Sequence, residues 1–468
     1  MRVTQPLGIT SNILRIAWQN RKMAPSTLKR VASTDRDISP PPPKRKVPAS
    51  ATATNVANFF KPASERSKEP ERVTFNIVHD SVLVARYNKE DDALRLIDKA
   101  KHRIAAFDFD DTLVTTASGN RFSRDAQDWK WWHASVPDKL KRLHEDGVHV
   151  VIMSNQGAVR LRPDPKTVKG DMKSLNNFKG KVTSVLTRLD LPITLHAATG
   201  HDLYRKPRAG MWQVLLNGLR LDASEVDHEQ SIFVGDAAGR DGDKARGIRK
   251  DHSSSDRDLA TNIAIPFSTP EEYFLNEAPR PFTRVFEPSD YLHSGKQDIL
   301  FTKQNDVDIV LFCGSPGSGK STFYWTYLQP LSYERANQDL LKTRDRCMAV
   351  ARQCIEAGKA VAVDNTNADV ETRGSWIALA RKLKVPIRLV HFTSPAKLCE
   401  HNDTVRALSG KIMNPEDRKM LPKMAFSGFT SRYQAPSVAE GFTDITRVDF
   451  KFAGSEEQEN IWRKYWIS

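Results

Sequence analysis

From Val73 onward, apolar positions fall into short blocks that alternate between two periods. The blocks "IAAFDFD", "VHVVIMS", "ITLHAAT" and "QSIFVGD" are rich in β-branched and aromatic residues and read as buried strands. Between them, "PDKLKRLHEDG", "NNFKGKVTSVLTRLD" and "AGMWQVLLNGL" repeat their apolar residues at helical spacing. "VTFNIVHDSVLVARY" ahead of them is also strand-like. Beyond the Pro-containing stretch "NEAPRPFTRVFEPSDYL", a second series opens with "DIVLFCG" and continues through "AVAVDNT" and "IRLVHF". Strand and helix in alternation predict parallel sheets covered on both faces. The 468 residues exceed what one core organises. The pattern therefore predicts an α/β protein of two doubly wound parallel-sheet domains, residues 73–290 and 291–468.

Residues 1–72 lack such periodicity. They are rich in Pro, Ser and Thr and hold 14 Lys/Arg against 5 Asp/Glu, most of the chain's net charge of +14. This composition predicts a disordered basic tail. Within it "PPPKRKV" reads as a basic nuclear-import signal, and "NVANFF" loosely resembles the peptide that binds sliding clamps. Met1 to Thr34 carries no acidic residue and is partly amphipathic, the character of a mitochondrial presequence that a start at Met23 would remove. Cys313, Cys347, Cys354 and Cys399 have no zinc-type spacing, and no secretory signal precedes them, so reduced thiols are expected. No apolar run is long enough to span a membrane. A nuclear monomer, with a mitochondrial form from Met1, is the expectation.

Candidate chemistry sits where the strands end, as it does in open α/β sheets. In "IAAFDFDDT", Asp108 and Asp110 are two residues apart, which in extended chain turns both the same way. Asp108 is a candidate nucleophile toward phosphorus, and Asp110 a candidate acid and base. "VVIMSNQG" offers Ser154, "YRKPRAGMW" offers Lys206 to neutralise phosphate oxygens, and "IFVGDAAGRDGD" offers Asp236 and Asp241. Asp108, Asp110 and Asp236 would hold Mg2+. In the second half, "GSPGSGKST" has phosphate-loop spacing directly after a strand. Backbone amides around Gly314, Ser315, Gly317, Ser318 and Gly319 would close on nucleotide phosphates, with Lys320 reaching the β/γ-phosphates, Ser321 on Mg2+ and Thr322 beside it. Asp339 in "YERANQDLL" is the candidate base for an acceptor hydroxyl. Asp364 would orient metal or acceptor, or cap a helix. Arg406 is a candidate lid arginine over ATP, and Asn367 and Arg373 candidate contacts to acceptor or lid.

The first set resembles the haloacid-dehalogenase superfamily: Asp108, Asp110 and Thr112, then Ser154, Lys206, and Asp236 with Asp241. Only 44 residues separate Asp110 from Ser154, and 52 separate Ser154 from Lys206. Neither interval has room for a large cap, and an open site favours a polymer end. The order of the two halves, with "FVGDAAGR", "IPFSTPEEYF", "CGSPGSGKST" and "VDNTNADV", resembles the eukaryotic polynucleotide kinase 3′-phosphatase family. That resemblance implies removal of 3′-phosphates and ATP-dependent phosphorylation of 5′-hydroxyls at DNA strand breaks. Two positions depart from the family pattern. Gln338 stands where an arginine precedes the kinase base, and Thr404 replaces an arginine in the lid segment. The aromatic run "DWKWWH", with Trp129, Trp131 and Trp132, fits either base stacking or core packing. Arg205 and Arg240 lie beside candidate site residues and would touch a DNA backbone, or simply be surface arginines. Healing of RNA ends remains open on these residues alone.

Overall fold

The computed structural model describes residues 72–87, 101–243, 245, 247–292 and 301–467. The tail motifs and the alternative starts lie outside the described residues. The first half is built on a seven-stranded sheet of β1 (Val73–Val78), β2 (Val82–Tyr87), β3 (Ile104–Phe107), β6 (His149–Asn155), β7 (Thr194–Ala198), β8 (Ile232–Val234) and β9 (Phe267–Ser268), in the order β1-β2-β7-β6-β3-β8-β9. Two short strands, β4 (Val114–Thr115) and β5 (Lys130–Trp131), form a separate ribbon. Strands β7, β6, β3, β8 and β9 run parallel, whereas β1, β2 and β7 pair antiparallel. The antiparallel edge follows from a three-residue turn in which His79 and Asp80 take positive φ. A turn that short joins only antiparallel neighbours.

Side chains of β3 divide by the two-residue period of a strand. Ala105 and Phe107 enter one core, under the helices Val136–Glu145 and Val168–Leu189. Ile104 and Ala106 enter the other, under Gly210–Leu219 and Ser255–Asn262. Both faces are buried, which is why the strand is apolar at every position. The Asp110–Ser154 interval is filled by the β4–β5 ribbon and one helix, and the Ser154–Lys206 interval by the helix Val168–Leu189 and β7. The three indoles pack on the first core, where Trp129 donates to Ser184 Oγ at 3.2 Å and stands edge-on to Trp131 at 5.2 Å. Packing is the reading their surroundings favour.

The second half carries five parallel strands in the order β11 (Glu334–Ala336), β12 (Val361–Val363), β10 (Ile309–Cys313), β13 (Ile387–Phe392) and β14 (Ile445–Val448). Its central strand again splits its residues between two cores, Ile309 and Leu311 to one and Val310 and Phe312 to the other. Residues Pro70–Ser468 form one compact unit. A fifth apolar cluster among the described residues joins Phe286, Tyr291 and Leu292 to Leu398, Val405, Phe452, Trp462 and Trp466. None of the described helices is long and apolar enough to cross a membrane.

Arg373, considered above as a contact to acceptor or lid, is fully buried. Its guanidinium pairs with both oxygens of Glu440 at 2.8 and 2.9 Å and donates to the carbonyls of Asn367, Ala368 and Gln434. Asn367 donates to the buried Phe312 carbonyl at 2.7 Å. Both residues hold the loop after β12 in place; Asn367 also lines a small cavity beside Gln338 and Asn365, whereas Arg373 is wholly engaged within the fold. Removing one partner of a buried ion pair strands the other in an apolar setting. Arg373→Ala should therefore lower stability by about 3–5 kcal/mol, seen as a fall in the urea midpoint with an unchanged slope.

Candidate functional site

Two sites form at the carboxyl ends of the two sheets. In the first, Asp108 follows β3 directly and its amide donates to Val234 O at 2.9 Å, which sets it level with the end of β8. Asp236 lies there, its amide bonded to Thr112 Oγ1 at 3.1 Å. Lys206 reaches between the strands, 3% exposed, with Nζ 2.7 Å from Asp108 Oδ1, 2.8 Å from Asp256 Oδ1 and 2.7 Å from Met153 O. The loop carrying it is pinned to β6 by Asn155, which accepts from Lys206 N at 2.9 Å and donates to Lys206 O at 3.1 Å. Ser154, also buried, lies at the end of β6 and accepts from Gln156 Nε2 at 3.0 Å.

Carboxylate oxygens of Asp108, Asp236 and Asp256 lie within 4.8 Å of one another. Asp256 stands where Asp241 was expected. Asp241 is turned outward, accepting from Thr283 Oγ1 at 2.8 Å and lying 3.7 Å from Lys250. Asp110 also lies outside this group of three. Its side chain is 46% exposed and is held by Lys181 Nζ at 2.6 Å and Gln156 Nε2 at 2.7 Å. It lies one turn of loop from Asp108, free on one side to meet a leaving group.

Asp256 was missed because an acidic residue in the first turn of a helix ordinarily reads as a complement to the helix dipole. The signal was Gly235. A Cβ there would fall 2.2 Å from Asp256 Oδ2, so only glycine lets the carboxylate approach the strand end. Lys181 carried a clearer sign. It sits on the buried stripe Leu175, Phe178, Val182 and Val185, where a lysine has no place unless it is paired.

Electrostatics at this cluster are set by burial. Desolvation, reinforced by Asp108 and Asp256, pushes the Asp236 carboxyl up to about 9. Desolvation likewise pushes Asp256 to about 6, with Lys206 pulling the other way. Burial works against the Lys206 ammonium as well, but Asp108 and Asp256 outweigh it and hold its pKa above the ordinary lysine value. One ammonium cannot balance three carboxylates. A hard, oxygen-seeking divalent cation fits the remaining charge.

Neither of the arginines proposed to meet DNA stands alike. Arg240 is buried, bonded through Nε to Asp251 at 2.8 Å and through Nη1 to Glu271 at 2.7 Å. Its fork is fully engaged within the fold, so it is not a backbone contact. Arg205 is partly exposed beside Gly157, and burial lowers its pKa.

The second site is a cleft of about 1290 Å³ lined by residues 316–322, Asp339, Asp364, Arg406 and Arg418. Gly317 takes φ +75°, and a Cβ there would meet Cys399 O at 2.3 Å. Lys320 Nζ lies against the loop carbonyls, 3.0 Å from Gly314 O and 2.7 Å from Ser315 O, and burial lowers its pKa. Ser321 Oγ donates to Asp364 Oδ2 at 2.8 Å. Asp364 ends β12 and also binds Arg335 and, through its carbonyl, Asn337 Nδ2 at 2.8 Å. These contacts make it a site carboxylate and not a helix cap. Asp339 is 76% exposed on the rim, 3.4 Å from Arg418 Nη1. Arg406 pairs with Asp403 on its own helix, and Thr404 is turned to Glu400 O. Arg418 was overlooked because a lone arginine in an irregular loop carries no pattern.

An aspartate pair with a buried lysine on one sheet, and a phosphate loop with an acidic strand end on the other, define a protein combining a phosphatase of the haloacid-dehalogenase type with a P-loop kinase. Residues 103–274 match the family described as polynucleotide kinase 3 phosphatase, and residues 340–436 match an AAA domain. A bifunctional polynucleotide phosphatase/kinase of Schizosaccharomyces pombe is 38% identical over 83% of this chain and 87% of its own. A polynucleotide 3′-phosphatase of Arabidopsis thaliana is 35% identical over 39% of this chain and 25% of its own. Chaetomium thermophilum Kti12, in complex with ADP-AlF3, covers 34% of this chain and 97% of its own, with 14% identity and a TM-score of 0.26. The chain belongs to the bifunctional polynucleotide phosphatase/kinase family.

The carboxylate cluster generates a pH prediction. Asp236 has its folded pKa raised from 3.8 to about 9, so ionising it costs folding free energy. That cost is absent below about pH 4, grows through the interval and is complete above about pH 9. Cation binding requires the ionised form and releases protons. The rise in Tm caused by Mg2+ should therefore be larger at pH 8.5 than at pH 6, and Asp108→Asn should remove the difference. Gly235→Ala, by displacing Asp256, should remove it too.

Proposed function

We propose that the chain heals nucleic-acid ends, hydrolysing a 3′-phosphate in its first half and phosphorylating a 5′-hydroxyl from ATP in its second. The observation that supports it most directly is the pairing of the two sites in one compact unit, since a strand break presents both kinds of unligatable end. In the first site Asp108 attacks the 3′-phosphate, with Lys206 against its carboxylate to hold the reacting oxygen in place. Asp110, steadied by Lys181 and Gln156, gives a proton to the leaving 3′-oxygen and then takes one from the water that opens the aspartyl-phosphate. Mg2+ held by Asp108, Asp236 and Asp256 would offset the charge of the incoming phosphate.

In the second site the loop from Gly314 to Thr322 cradles the ATP phosphates, with Lys320 turning from loop carbonyls toward phosphate oxygens. Ser321 and Asp364 would hold Mg2+ there. Asp339, on the rim where an acceptor enters, takes the proton of the 5′-hydroxyl. Arg406 and Arg418 line the same cleft and would meet the charge of the transferring group. DNA is the acceptor we infer. The basic import-like stretch supports action in the nucleus.

The test is a nicked duplex bearing a 3′-phosphate and a 5′-hydroxyl, with Mg2+ and labelled ATP. Asp108→Ala should lose 3′-phosphate removal by on the order of 1,000-fold or more while 5′-labelling continues. Lys320→Ala should do the reverse. Processing of an RNA duplex but not of DNA would reassign the substrate, and inertness toward both would overturn the reading.

A further inference from the structure

Residues 462–466 of the second half run back onto the loop that carries Lys206 in the first. Trp462 is buried, and its Nε1 donates to Asn402 Oδ1 at 2.8 Å. Asn402 in turn donates to Gly317 O in the phosphate loop at 2.9 Å. Three residues further on, Tyr465 exchanges a pair of hydrogen bonds with Asn262, its amide donating at 2.9 Å and its carbonyl accepting at 2.7 Å. The same Asn262 Nδ2 donates to Pro207 O at 2.9 Å. Arg208 ties the next residue, donating through Nη1 to Trp466 O and through Nε to Asp202 O, both at 2.7 Å. The contact is reinforced from the side: Tyr465 Oη donates to Glu287 at 2.7 Å, and the Arg284 guanidinium stacks 4.1 Å over its ring.

These bonds close a frame around Lys206. On one side its own amide and carbonyl are held by Asn155; on the other, Pro207 and Arg208 are held by Asn262 and Trp466. Asn262 ends the helix Ser255–Asn262, whose other end carries Asp256, the second carboxylate on Lys206. Loop and helix, the two supports of the ammonium, thus meet at one amide, and that amide is fastened to the kinase half.

We infer that Tyr465 and Trp466 form a strap by which the kinase half positions the phosphatase's Lys206, with Asn262 and Arg208 as its positioning residues. Neither touches the reacting atoms. Their effect is on where the ammonium sits, and a displacement on the order of 1 Å can cost about 100-fold in rate. The inference rests on the phosphatase reading of the first site.

The experiment uses the full chain. Asn262→Ala, Arg208→Ala and Arg208→Lys are assayed on a 3′-phosphorylated oligonucleotide and on p-nitrophenyl phosphate, with 5′-kinase activity and Tm measured alongside. Asn262→Ala should lower phosphatase kcat by about 10-fold or more with KM within about twofold, and leave the kinase rate intact. Arg208→Ala should fall in the same way, and Arg208→Lys, which keeps a donor for Trp466 O, should recover most of the rate. Wild-type kcat in a folded Asn262→Ala chain overturns the strap, as does a parallel loss of both activities with a lowered Tm. If Asn262→Ala does not fold, the Arg208 pair decides, and equal rates for alanine and lysine overturn it. A wild-type protein inert toward both esters overturns the phosphatase reading itself.

Discussion

A single buried ammonium, that of Lys206, organises the first site. Removing a lysine and three carboxylates from water is unfavourable unless each finds a partner at close range. Lys206 satisfies Asp108 and Asp256 and is itself fixed by a carbonyl of β6. The end of β3, the loop before Gly210–Leu219 and the first turn of Ser255–Asn262 bring these groups to one point. The excess negative charge that remains is what the site has available for chemistry. It is charge that a divalent cation would offset, and burial raises the pKa of Asp236 and Asp256.

The second site solves a related problem by other means. Its hub is a carboxylate, Asp364, on which Ser321, Arg335 and Asn337 converge. Its lysine is partnered by carbonyls of its own loop and not by an acid. The first site is thus an ion-pair lattice built largely of buried groups. The second is a backbone cradle on a wide cleft, suited to a ligand that brings its own charge.

Much of this was legible from residue order. Strands such as Ile104–Phe107 and Ile309–Cys313 announce themselves because both faces are buried, so every position is apolar. Asp108 and Asp236 lie within two residues of the ends of such strands, Ser154 lies at the end of one, and Lys206 follows in the loop after β7, which made them visible. Asp256 was not, because it enters from a helix that packs on the sheet end, and no local pattern links it to Lys206 some fifty residues earlier. Arg240 erred in the opposite direction. Its neighbours in sequence are site residues, but its partners Asp251 and Glu271 come from elsewhere in the fold and consume its charge. The antiparallel edge was hidden for a simpler reason: a strand's apolar pattern does not record its direction.

The apolar cluster that joins Phe286 and Tyr291 to Trp462 and Trp466 has a genetic corollary. Its members are encoded more than 170 codons apart, yet they bury one another's faces. Missense alleles at a phosphate-loop codon would separate the two activities. Nonsense and frameshift alleles between codons 301 and 462 would expose the first half's side of that cluster as well. Such alleles would fall into one complementation group for both reactions, though the damaged codons lie wholly outside the first half.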